Sequence, residues 1–89
     1  MSIDQFLTKC RLVYSLEYQK YIQAKEPNDL SEFYACKKLD LYIYTRLAGD
    51  TNKKIRQQIA EKITGGKVPF YRSGVHELQK LILEYIKLC

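Results

Sequence analysis

Leu41-Tyr42-Ile43-Tyr44-Thr45 is the stretch on which the fold turns. Its β-branched and aromatic residues are strand formers, and with Val68-Pro69-Phe70-Tyr71 they can be read as the arms of a hairpin. The helical reading is stronger. Pro69 has no N–H to give to a ladder, and the long separation between the runs weakens their pairing. Outward from this stretch, Phe33, Cys36, Leu39, Ile43, Tyr44, Leu47 and Ala48 recur at helical spacing and stop at Gly49, a natural residue beyond a helix end. Asn28 and Asp29 are candidate caps, with Glu32 three positions after Asp29. The apolar residues cover much of the circumference, so this helix is expected to be the most buried element.

The flanking segments repeat the pattern. Ser2 and Gln5 form a capping-box pair ahead of Ile3, Phe6, Leu7, Cys10, Val13, Tyr14, Tyr18, Tyr21 and Ala24, and Pro27 ends that helix. After Gly49, Asp50 or Thr51 is the expected cap of a third helix with a narrow stripe of Ile55, Ile59 and Ile63, closed by Gly65-Gly66. Ser73 is the expected cap of a fourth helix carrying Val75, Leu78, Leu81, Ile82, Tyr85, Ile86 and Leu88. The spacing predicts helices over residues 2–25, 29–48, 51–64 and 74–88. The expected fold is all-α, a small antiparallel four-helix bundle forming a single domain over residues 1–89. The apolar arc of the fourth helix is wide, so it either packs centrally or forms a homodimer through residues 75–88.

With 89 residues, 46% hydrophobic and 28% charged, the chain reads as globular rather than disordered. No apolar run reaches the ~18 residues of a membrane span. The N-terminal residues lack the basic-then-apolar pattern of a secretory signal, so a cytoplasmic location and no membrane partner are expected. Cys10, Cys36 and Cys89 are an odd set without short spacing, which points to reduced thiols, with Cys10 and Cys36 as small core residues. Together with His76 they lack the paired spacing of a zinc site, and neither metal nor cofactor is expected.

The net charge of +5 is uneven. Between Thr51 and Gly74 stand Lys53, Lys54, Arg56, Lys62, Lys67 and Arg72 against Glu61 alone, while acids and bases cancel elsewhere. A thin apolar stripe leaves most of the third helix free. Gln57 and Gln58 can hydrogen-bond, and Phe70 and Tyr71 lie between two cations where a ring could stack on a base. Four to six cations on phosphates would give log K against log salt a slope of roughly −3 to −5. The same charges also fit a merely solvated face, with Phe70 and Tyr71 plugging the bundle end. A helix-turn-helix reading of Arg46 to Thr51 is weakened by the long, apolar helix before the turn.

Two carboxylates fall inside apolar stripes on a helical projection: Glu17 between Phe6 and Cys10, and Asp40 between Phe33 and Leu47. A buried, unpaired carboxylate is costly. They are either an acid pair on a shared cavity or structural groups bonded to tyrosines or cations, and the second reading is preferred. No nucleophile-base pair or P-loop glycine pattern is evident, so the chain is read as no enzyme. The leading expectation is a non-catalytic module whose third helix and following loop contact nucleic acid or a nucleoprotein. Lys53, Lys54, Arg56, Lys62, Lys67, Tyr71 and Arg72 are the named contacts. The alternatives are a small inhibitor or immunity-type factor that occludes a protein partner, by analogy with what viruses and plasmids encode, or a helical subunit of a larger assembly.

Overall fold

The computed structural model describes residues 2–24, 30–66 and 74–88. Four helices make up nearly all of these residues, and no strand occurs among them: α1 (Ile3–Ala24), α2 (Leu30–Leu47), α3 (Lys53–Thr64) and α4 (Val75–Lys87), with a 3₁₀ turn at Asp50–Asn52 leading into α3. The Leu41 to Thr45 stretch is helical. Ile43 extends the Ala35, Leu39, Ile43, Leu47 series, every fourth residue of α2 and all buried. That series recurs about once per helical turn, and its burial along the helix overrides the strand preference of the tyrosines between.

α1 opens as the capping box requires. The Ser2 N–H donates to Gln5 Oε1 at 3.0 Å, and the Gln5 N–H donates to Ser2 Oγ at 3.2 Å. The expected side-chain cap of α3 by Asp50 or Thr51 is not formed. Asn52 takes the cap position without a side-chain cap bond, and its amide turns back to donate to the Ala48 carbonyl at 3.3 Å. Closing the end of α2 competes with opening α3 and wins that side chain. α3 ends as expected, with Gly65 in the left-handed region (φ 72°) and Gly66 N–H bonded to the Glu61 carbonyl at 2.7 Å. Asn28, Asp29 and Ser73, the other expected caps, lie outside the described residues.

The helices are antiparallel about α2. Phe6 stacks on Tyr42 (centroids 5.9 Å apart) and Tyr14 Oη donates to Glu32 Oε1 at 3.4 Å, so α1 runs against α2. Gln79 Nε2 donates to the Asp40 carbonyl at 2.9 Å and Lys87 is bonded to Glu32, so α4 does the same. α3 packs across the end where α1 and α4 begin, with Lys62 ion-paired to Asp4. One core draws on all four helices: Phe6, Leu7 and Cys10; Leu39, Ile43 and Leu47; Ile59 and Ala60; Val75, Leu78, Ile82 and Ile86. Each large side chain buried there contributes about 1.5–3 kcal/mol.

Of two expectations about burial, one narrows to a single alternative and one changes. The wide arc of α4 is filled within the chain: its core residues are buried, Leu81, Leu83 and Tyr85 pack beside them, and only Leu88 projects freely. α4 therefore shows no broad apolar face left for a second copy. α2, in contrast, is not buried all round. Phe33 and Tyr44, expected inside, are about half exposed, because α1 and α4 cover only one side of the helix.

Candidate binding surfaces

Of the seven expected contacts, Lys53, Lys54, Arg56 and Lys62 fall within the described residues, while Lys67, Tyr71 and Arg72 lie outside them. Lys54 and Lys62 are exposed, and with Gln58 they occupy every fourth position of α3, which lines the three up on one side. Lys53 is exposed as well and sits 3.6 Å from the Asp50 carboxylate. Both partners of that pair are largely in water, and Lys62 is partly covered while Asp4 is open to solvent; pairs so exposed hold their charges only loosely.

Arg56 differs. It is only 8% exposed, and its Nη1 donates to the Leu47 carbonyl and, at 2.9 Å, to the Gly49 carbonyl. Leu47 ends α2, where the last carbonyls have no N–H of their own helix to accept from, and Gly49, whose carbonyl also accepts from the Asn52 N–H at 3.2 Å, lies just beyond it; the cation also suits the negative end of the helix dipole. Arg56 is thus a tie between α2 and α3, not a free phosphate contact. A signal for this was present: at 100° per residue Arg56 lies only 60° from Ile59, inside the α3 stripe, while Lys54 projects outward.

The outer side of α2 carries an apolar row, of which the sequence pattern places only Phe33 and Tyr44, and those in the core. Leu30, Phe33, Tyr34, Leu41 and Tyr44 are 44–60% exposed and share one face. Leu30, Tyr34, Lys37, Leu41 and Tyr44 follow a 4-3-4-3 spacing, the 3.5-residue repeat of a helix-pairing seam. The core series Ala35, Leu39, Ile43 and Leu47 occupies the opposite side, so α2 is apolar on two faces with different partners. Aromatic contacts order the outer one. Tyr34 stacks on Tyr21 of α1 (4.9 Å), Phe33 meets Tyr34 edge-on (5.7 Å), and the Lys37 ammonium lies 5.1 Å from the Phe33 ring centre. On α1, Leu12 and Leu16 are exposed one turn apart but form no comparable row.

Beside this face, an open groove of about 320 Å³ between α2 and α4 is lined by Lys37, Asp40, Leu41, Tyr44, His76 and Gln79. Burial holds the Asp40 carboxyl above the usual carboxylate range, while His76 and Lys37 pull it back. The acid pair does not form: the charged groups acting on Asp40 are those two, and Glu17 belongs to α1. Glu17 Oε2 is sealed from water without a hydrogen-bond partner, as is the Tyr42 hydroxyl. Among the described residues no three His, Cys, Asp or Glu side chains are grouped to hold a metal ion, and no helix is long and apolar enough to cross a membrane. A second groove, about 220 Å³, runs between the start of α1, the end of α2 and α3, lined by Ile3, Phe6, Arg46, Leu47, Ile55 and Ile59 with Ser2.

No protein-family model, curated protein or solved structure matches the chain.

Proposed function

We propose that the chain is a non-catalytic protein-binding module that engages its partner through the outer face of α2. One observation carries this reading: five large apolar or aromatic side chains stand half exposed in a row on one helix, while the opposite side of that helix is fully packed. Exposed apolar side chains scattered singly are ordinary, but a continuous row is a common mark of an interaction surface. The composition fits as well, since tyrosine and phenylalanine dominate interface cores, where they bury much area for few rotatable bonds.

The double variant Leu41→Asp/Tyr44→Asp tests it. Both positions are exposed, so circular dichroism and Tm should stay close to wild type. Wild-type protein immobilised in nuclease-treated extract of its source cells should retain a partner that the double variant loses. Equal retention by both would remove the α2 face from the reading.

The chain's positive surplus favours a second reading, contact with nucleic acid through α3 and the loop after it. Lys54, Gln58 and Lys62 on one line support it, with Lys53 beside them and Lys67, Tyr71 and Arg72 following in sequence. Arg56 is not part of it. Binding to generic DNA or RNA at ~50 mM salt that weakens steeply as salt rises, and that Lys54→Glu/Lys62→Glu abolishes, would favour this reading over the first.

A further inference from the structure

The exposed seam of α2 has one residue out of character. Leu30, Tyr34, Leu41 and Tyr44 are apolar or aromatic, and Lys37 stands at its midpoint, exposed, with its ammonium over the Phe33 ring. From this we infer that the occupant of the face is an amphipathic helix of a different protein with an acidic side chain opposite Lys37, and that the lysine excludes a second copy of this chain. The inference rests on the reading of α2 as a docking face.

Symmetry supplies the argument. Two copies paired in parallel and in register set Lys37 of one against Lys37 of the other. Paired antiparallel, the arrangement that covers the whole row sets Tyr44 against Leu30 and Leu41 against Phe33 and Tyr34, and it again centres on the two lysines. Sliding one copy by a heptad separates the ammonium groups but leaves about half of the row uncovered. Like charges in the middle of an apolar contact are both repelled and desolvated, so self-pairing is penalised in every register that buries the row. Asp40, the nearest acid on α2, is partly buried in the groove beside His76. A foreign helix escapes the penalty by presenting one carboxylate at that level, and this also fixes its register, as a single polar residue does in helix pairs. The chain's net charge of +5 adds long-range attraction for an acidic partner.

The test uses the intact chain. Synthetic helical peptides of about 18 residues, matching α2 in length, carry leucines at the heptad core positions and Glu, Leu or Lys at the central one. Titration calorimetry should show the Glu peptide binding about tenfold more tightly than the Lys peptide, and more tightly than the Leu peptide. Light scattering should find the wild-type chain monomeric and Lys37→Leu dimeric at high concentration, with Leu41→Arg added to Lys37→Leu restoring the monomer. Indifference of the peptides to their central residue, or a wild-type dimer that Leu41→Arg dissolves, overturns the inference while leaving the docking face intact. If no peptide binds and Lys37→Leu stays monomeric, the docking face itself is wrong and the inference falls with it.

Discussion

At the scale of single residues, Arg56 and Lys54 show how two cations on one helix come to do different work. Two positions apart on α3, they differ by about 160° in direction, enough to send one guanidinium under the Gly49 turn and one ammonium into water. Replacing Arg56 with alanine leaves the Leu47 and Gly49 carbonyls without their charged donor and should destabilise the fold by about 2–3 kcal/mol, read as a lower urea midpoint at unchanged m-value. Arg56→Lys should recover only part of the loss, because one ammonium cannot match the fork of the guanidinium. The charge surplus of the 51–74 segment was legible from the sequence, but its division into surface and buried cations was not. A count of charges carries no direction; the projection that singled out Glu17 and Asp40 would have singled out Arg56 too.

The four helices were legible at the scale of elements because each rests on a periodic core series, closed in the first three by proline or glycine, and such series survive a local preference for strand. What the periodicity could not give was the number of neighbours around a helix. In α2, the Ala35–Leu39–Ile43–Leu47 side and the Leu30–Tyr34–Leu41–Tyr44 side look alike as strings, and only the placement of α1 and α4 on the first leaves the second outside. The turn that carries α2 into α3 depends on Gly49, whose φ of 121° and ψ of 155° lie in a region that residues with a side chain scarcely enter. A methyl group there would meet no atom within 4 Å, so the cost of Gly49→Ala is conformational alone. It should be about 1–3 kcal/mol, appearing as a lowered Tm with the contents of α2 and α3 unchanged by circular dichroism.

On the scale of the whole molecule, 44 Å long and 24 by 22 Å across, the last turn of α4 is tied to the first turn of α2 by Lys87 and Glu32, which Tyr14 of α1 joins. The bond from Lys87 holds the Glu32 carboxyl below the usual glutamate range. A depressed carboxyl contributes stability above its unfolded pKa, near 4.3, and that contribution is lost as pH falls through the lower folded value. Both side chains are about half exposed, so the tie is worth no more than about 1 kcal/mol. Glu32→Gln should therefore lower Tm slightly at pH 7, and the gap from wild type should close as the pH approaches 3; a gap that persists in acid would mean the carboxylate is not the source. Deeper in the same body, Cys10 is fully enclosed and its thiol is pushed up to about 12 by burial. The thiolate, the form that attacks alkylating and oxidising reagents, is scarcely populated while α1 stays docked. The sulfur is consequently a clock for the interior: its rate of capture by reagent counts how often the helices part.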